Sequence, residues 1–541
     1  MGFVLDFREH SNRSHPCRQC PAWPGWRFHR TVEKKYAIIH KTLLKYARMK
    51  GGAVKETSFF QSSLGEKPRA EELARRAIQT VPAYRAFLAR QNVPAAASFD
   101  GLPLMDKAGY ILPSAYRDLL ADDFDDTFFI FRSSGSSGHG FLWPQLKGHH
   151  RHVTASLRVF LETAFEIQQK RTLAIVGLAL GSWIGGEHFS WVLKSLALDL
   201  PYPFAVFSPG NRHDEILDMM TAADSYTDQI LLFLCPSAIA HLQLTARDRG
   251  VAVSWNKVRY VVLGEPIPEP VRQSLRQQAG VGPEETFMLS VYGSADTGTL
   301  GAESSASVFV RSLLSSHPAL AESLGLPPPV PHFFHLAAPD IYLETVRGEL
   351  CVTRWQGIPL VRYNLHDRAW LFDWKRLMQA VVESPLLPAT LRETVRAVQA
   401  RSTGLPDVVA VAGRADACLL LCGTNITEVM LDETIRCAEL EDWLTGIYRA
   451  AIGYDQDRQH LRLQVELKRG VPSTPDLIDR LYPKLIQALG RVQPEFLDDW
   501  KNLYAVWDAD PPRRILQVHA VEWPALSNAA PNQVKQRGMA S

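Results

Sequence analysis

The sequence predicts an α/β protein in which a large N-terminal domain of mixed sheets and helices is followed by a small α+β unit. Three observations predict it. The chain has 541 residues, too long for one core when domains run to roughly 100–200 residues. Between Thr127 and Val291, short β-rich runs alternate with helical stretches of roughly ten or more residues, the pattern of a sheet with largely parallel pairing. After Pro329 the texture turns to hairpins, and past Gly404 a smaller unit with strands of its own begins.

The elements follow in order. From Thr57 to Asp123 the chain reads as helices around a Pro-punctuated loop, Leu102–Lys107. Thr127–Arg132 is a short strand that enters a Ser/Gly loop. Thr172–Leu180, Gln229–Cys235, Val258–Gly264 and Thr286–Val291 read as buried strands, and Ser237 is placed to cap the helix after the second of them. The His149–His150–His152 cluster opens a helix. Ile341–Val346 and Glu349–Arg354 form a hairpin across Arg347–Gly348, and Leu360–Tyr363 and Ala369–Phe372 are two further strands. Strands recur near 447–453 and 461–467, and Thr474–Pro475 opens a helix with a cap followed by proline.

Composition narrows the function. Lys plus Arg is 59 and Asp plus Glu is 57, a net charge of +2, so nothing in the overall charge favours a nucleic-acid partner. Seven scattered cysteines make no disulfide framework and predict a reducing, cytoplasmic setting. The longest apolar run, Thr172–Ile184, is shorter than the roughly 20 residues of a membrane-spanning helix.

Residues 1–56 read as a basic extension, with 11 Lys/Arg against 3 Asp/Glu in the first 50 positions. Val32, Tyr36, Ile39, Leu43 and Tyr46 recur at helical spacing. Such a helix docks on its own protein or lies on an anionic membrane, and Met49 is an alternative start. Cys17 and Cys20 have the spacing of half a zinc site, without a second pair nearby.

The sharpest motif is Ser133–Ser134–Gly135–Ser136–Ser137–Gly138, placed directly after an apolar run. Glycines let backbone N–H groups converge, and hydroxyls add donors, so the loop can cradle phosphate oxygens. It is followed, in order, by Gly264–Glu265–Pro266, by Tyr292–Gly293–Ser294–Ala295–Asp296–Thr297–Gly298, by Arg362–Asp367, by Gly413–Arg414–Ala415–Asp416, and by a late Lys535. Singly, Asp367 reads as a turn residue, Tyr292 as packing, and Arg414 and Lys535 as surface charges. The ordered set resembles the adenylate-forming superfamily of acyl-CoA synthetases, most closely its phenylacetate–CoA ligase-like branch, from about Thr57 to the C-terminus.

The resemblance implies an adenylation domain over 57–414, a mobile lid over 415–541, and ATP-dependent activation of an aryl or fatty acid to an acyl-adenylate. It implies ATP and Mg2+ as cofactors and coenzyme A as the acceptor, with an amine or a carrier-protein thiol as alternatives. The Ser133–Gly138 loop would hold the departing phosphates. Tyr292 would face adenine, with Gly264, Glu265 and Pro266 at the opposite edge and Gly293 and Ser294 alongside. Asp296 would hold the metal, Asp367 the ribose hydroxyls and Arg414 the nucleotide. Lys535 would bring a mobile charge to the α-phosphate, and Asp416 falls at the hinge. Gly181–Gly186, leading to Phe189 and Trp191, would lie near the acyl pocket.

The sequence also departs from the family pattern. His139, Gly140 and Phe141 follow Gly138 where a lysine is usual, leaving Lys147 as the nearest cation. Tyr363–Asn364–Leu365–His366–Asp367 keeps only the ends of the family's Tyr-Arg-Thr-Gly-Asp, and Asp296 stands where Glu is usual. These departures support a second reading, a catalytically weak sensor or scaffold that binds nucleotide or acyl ligand.

Overall fold

The computed structural model describes residues 60–94, 97–121, 126–133, 141–337, 340–414, 418–455, 458–526 and 533–535, all within one compact unit, Glu56–Ser541. The expected N-terminal helix, the Cys17–Cys20 pair, Ser134–Gly138 and Asp416 lie outside the described residues.

Two short strands, β1 (Phe60–Gln61) and β2 (Ser63–Leu64), precede helices Lys67–Thr80 and Pro82–Arg90. Pro68 and Pro82 sit in first turns, where the missing N–H is no loss. Strands β3 (Thr127–Arg132) and β4 (Leu142–Leu146) form an antiparallel hairpin, so Ser133 closes one arm of it. Helix Lys147–Phe165 then carries His149, His150 and His152.

The alternating region holds β5 (Thr172–Val176), β6 (Phe204–Phe207), β7 (Gln229–Leu234), β8 (Val258–Val262) and β9 (Met288–Ser294). These pair parallel in the order β6–β5–β7–β8–β9. Every residue of β5, β7 and β8 is buried, as a parallel sheet covered by helices on both faces requires.

The other half of the same sheet is antiparallel. It contains β10 (Gly298–Ala302), β11 (His332–Leu336), β12 (Tyr342–Val346), β13 (Glu349–Arg354), β14 (Leu360–Phe372) and β15 (Val408–Arg414). From one edge the order runs β2–β12–β13–β14–β15–β11–β10–β9, then into the parallel half. The parallel pairing that the sequence suggests is therefore confined to one half; in the other, the short links β9–β10, β12–β13 and β13–β14 are hairpins, while helices join β10 to β11 and β14 to β15.

The two strands expected between Leu360 and Phe372 are one strand. It bends where Arg362 and His366 take positive φ (51° and 59°), and its register slips against β13 and β15.

Beyond Arg414 a second body forms. It has the hairpin β16 (Cys418–Leu421) and β17 (Thr424–Thr427), and a sheet ordered β20–β19–β18–β21. The strands of that sheet are β18 (Leu444–Asp455), β19 (Arg458–Leu467), β20 (Leu516–Val521) and β21 (Gln533–Lys535). Thr474 caps helix Pro475–Val492 by accepting a bond from the Leu477 N–H at 3.2 Å, as its sequence announces. Lys535 was expected on a mobile loop. It lies instead in β21, parallel to β18 with its Cα opposite Ala451, because an open sheet edge supplies backbone partners even to a polar tail.

The second body rests on helix Pro236–Asp248. His241 of that helix stacks on Trp507 at 4.7 Å and meets Tyr504 at 5.0 Å, and Arg513 reaches Asp248 at 3.4 Å. Among the described residues no helix is long and apolar enough to cross a membrane.

Candidate functional site

The Tyr292–Gly298 motif is the end of β9 and its turn into β10. The Ser294 hydroxyl accepts from the Thr297 N–H at 3.2 Å, closing the turn. A side chain at Gly293 would put its Cβ 2.3 Å from the Gly298 carbonyl, so the tight crossing of the two strands explains that glycine. Arg354, buried at the end of β13, donates to the Thr297 and Thr299 carbonyls at 2.8 and 3.2 Å and holds the hairpin from beneath.

Two acid–phenol pairs converge there. The Tyr363 hydroxyl donates to Asp296 Oδ2 at 2.5 Å, and Gln356 Nε2 donates to the Asp296 carbonyl at 2.5 Å. The Tyr292 hydroxyl donates to Asp367 Oδ2 at 2.5 Å, while its ring stacks on Phe334 at 5.1 Å. Asp367 lies opposite Arg414 in the β14–β15 ladder. The structure thus brings together Tyr292, Gly293, Ser294, Asp296, Asp367 and the backbone of Arg414.

Gly264, Glu265 and Pro266 are used differently. Gly264 takes φ +89°, and a Cβ there would meet Cys235 Sγ at 3.2 Å and Gly423 Cα at 3.6 Å. The buried Glu265 carboxylate accepts from the Ser237 N–H at 2.5 Å and from the Gly423 backbone. Glu265, not the Ser237 hydroxyl, therefore caps helix Pro236–Asp248, and it faces the β16–β17 hairpin. The carboxyl expected at the adenine edge is thus engaged with that hairpin. Burial pushes its pKa up to about 7.

At the phosphate loop, Ser133 is buried and its backbone N–H bonds the Phe141 carbonyl at 2.9 Å. Lys107 Nζ donates to Ser133 Oγ at 3.0 Å. The sequence places Lys107 only at the end of the Pro-punctuated loop and leaves Lys147 as the nearest cation, yet Lys147 starts the helix beyond β4. The signal for Lys107 was faint, a lysine after Pro103 and Asp106 in a turn, and only tertiary closure across 26 residues reveals it.

A small cavity is lined by Phe128, Phe131, Gln145, His149, His150, His188 and Trp191. Trp191 follows Gly185–Gly186 in helix Ile184–Asp199, as the glycine-rich approach suggested. Burial lowers the His149 pKa to about 2 and the His188 pKa to about 4. Both imidazoles are therefore neutral near pH 7, so the cavity offers aromatic walls and uncharged hydrogen-bonding groups.

Neither a protein-family model nor a curated protein matches this sequence. The structure aligns with 2-hydroxyisobutyryl-CoA ligase in complex with 2-HIB-AMP and CoA in the thioesterification state, with TM-score 0.58 and 13% identity over 87% of this chain and 89% of that one. Malonyl-CoA ligase, as a ternary product complex with methylmalonyl-CoA and AMP, aligns with TM-score 0.41 and 11% identity over 82% of each chain. An o-succinylbenzoate CoA synthetase from Bacillus subtilis aligns with TM-score 0.39 and 13% identity over 74% of this chain and 66% of that one. The chain has the fold of the adenylate-forming acyl-CoA ligases.

Proposed function

We propose that this protein activates a carboxylic acid with ATP, releasing pyrophosphate and forming an acyl-adenylate, and then transfers the acyl group to coenzyme A. The observation that carries this reading is the convergence of the pairs Asp296–Tyr363 and Asp367–Tyr292 where the β9–β10 hairpin meets β14. Tyr292, whose ring stacks on Phe334, faces adenine. Asp367 accepts the ribose hydroxyls, and Arg414 lies across the ladder from it. Ser133–Gly138 receives the leaving phosphates, with Lys107 supplying the cation that does not follow Gly138.

Mg2+ fits Asp296, a hard carboxylate ligand whose Oδ2 is oriented by Tyr363. When bound, the ion neutralises phosphate charge. Lys107 also counts against the sensor reading, since the charge missing from the sequence motif is restored in space. The chain then divides into an extension over 1–56, an adenylation domain over 57–414 and a lid over 415–541. Lys535 rides on the lid to the α-phosphate, and Asp416 lies at the hinge. The neutral, aromatic cavity suits an aryl or fatty acid better than a dicarboxylate. The need for ATP and coenzyme A favours a cytoplasmic location.

Carboxylate-dependent exchange of pyrophosphate into ATP, run on a panel of aryl, fatty and amino acids, tests the first half-reaction. We expect exchange with at least one acid. Lys535→Ala is expected to lower it by roughly 10²–10³-fold and to spare thioester formation from a supplied acyl-adenylate. Exchange with no acid, or equal loss of both half-reactions in Lys535→Ala, overturns the reading. Exchange without thioester formation shifts the acceptor to an amine or a carrier-protein thiol.

A further inference from the structure

His366 sits where the family motif has glycine, at a bend whose φ of 59° favours glycine. Its surroundings explain how the bend is held. Its Nδ1 lies 3.1 Å from Glu349 Oε2 on β13, and its Nε2 lies 3.5 Å from Asp106 Oδ2. Asn364 ties the same knot, donating from Nδ2 to Glu349 Oε2 at 2.6 Å and accepting from the His366 N–H at 2.8 Å. The side chain is half-buried, and its sequence neighbours Asp367 and Arg368 complete the charges around it. Asp106 in turn accepts from the Gly109 N–H at 2.6 Å and so fixes the turn that carries Lys107. Main-chain bonds from Met105 to the Arg362 carbonyl and from Asn364 to the Met105 carbonyl, at 3.3 and 2.8 Å, lay that segment along β14.

These contacts form one continuous chain. Tyr292 bonds Asp367, which is covalently next to His366. His366 faces Asp106, which is next to Lys107, and Lys107 bonds Ser133. The ends of the chain are the ribose acid and the phosphate-loop cation. We propose that His366 is a positioning residue for the nucleotide: its imidazolium, held between Asp106 and Glu349, fixes the bend that sets Asp367 and, through Asp106, the turn that sets Lys107. This inference rests on the nucleotide-binding reading above and adds a regulation to it. Asp106 first, then Glu349, holds the imidazole pKa above its usual value. The arrangement is therefore fully formed below about pH 6.5, and it is lost as pH rises through the higher folded-state value.

The test is ATP binding by calorimetry on the full chain, between about pH 6 and about pH 9, in wild type and variants. Wild type is expected to lose about tenfold in affinity across this range, one unit of pKa coupling. His366→Gly, which accepts the bend but carries no charge, is expected to bind at the weakened level at every pH. His366→Arg, which keeps the charge, is expected to stay tight at alkaline pH. Asp106→Asn and Glu349→Gln are each expected to move the wild-type midpoint downward. ATP binding whose pH profile is unchanged in His366→Gly overturns this inference alone. Absence of ATP binding in wild type at every pH overturns it together with the function on which it rests.

Discussion

Two buried glutamates show how differently the same side chain can be used. Glu303, beside the β9–β10 hairpin, is held by a buried cation and two further hydrogen-bonding groups. Arg272 donates to both its oxygens at 3.0 and 2.8 Å, His332 Nδ1 lies at 3.0 Å, and the Ser290 N–H donates at 2.8 Å. Burial alone would raise its pKa, but Arg272 and its neighbours outweigh burial and hold it well below the usual carboxylate range. His332, lowered by burial to about 4, is neutral near pH 7, so it contributes a hydrogen bond and Arg272 the charge.

Glu265, at the contact with the second body, faces Cys235, Cys422, Tyr454, Tyr504 and Asp499. Among the described residues no lysine or arginine bonds it. Asp499, bonded by Asn211 and Thr424 at 3.2 Å each and flanked by Asp498, is in the same condition. Burial raises both acids to about 7. The lesson is that the scaffold under the hairpin is locked against pH, whereas the contact between the two bodies is built from acids that keep their protons only up to neutrality.

The largest effect should come from breaking the locked region. Glu303→Ala removes the carboxylate that accepts two bonds from the buried Arg272, leaving it with the Glu269 carboxylate at 3.3 Å, and is expected to cost about 3–5 kcal/mol of stability, read by denaturant unfolding. A loss below about 1 kcal/mol would show that the cluster is no more than a surface-type pair.

Next comes the contact between bodies. Because Glu265 and Asp499 have folded-state values above their unfolded ones, the native state holds extra protons between about pH 4.5 and about pH 7. Stability therefore falls as pH rises through that window, at roughly 1.4 kcal/mol per pH unit for each group. The double variant Glu265→Gln, Asp499→Asn is expected to flatten that slope. A slope unchanged in the double variant would place the titration elsewhere.

The smallest effect is at the rim. The exposed Arg513–Asp248 pair, at 3.4 Å, should contribute about 0–1 kcal/mol. Arg513→Ala in a thermal melt measures it, and a larger loss would make the rim rather than the buried acids the main tie.

What could be read from the sequence follows the range of each interaction. β5, β7 and β8 were visible because burial on both faces leaves continuous apolar runs, and the cap at Thr474 because its partner lies three residues on. The Tyr292–Gly298 motif was visible because its glycine crossing is local. The Tyr363–Asp296 and Tyr292–Asp367 bonds join residues 67 and 75 positions apart, and no local pattern announces them. Glu265 was legible as a motif residue but not in its destination, which depends on where Gly423 packs. His366 looked like damage to a motif, because the carboxylates that sustain it come from Asp106 and Glu349.

The position of β1 and β2 bears on how the chain is made. They are the first described strands to be synthesised, yet their partners on β14 and β12 lie about three hundred residues downstream. At roughly 5–20 residues per second, synthesis leaves them unpaired for about a quarter of a minute to a minute. The helices behind them wait as well, since Tyr84 and Phe87 belong to the same core as Leu343, Val352 and Leu360. The strands β5 to β9 come from one contiguous stretch and can assemble in the meantime. A ribosome paused before Tyr342 therefore holds a chain whose middle can fold while its apolar front still lacks its partners, and that front is the surface a chaperone would meet first.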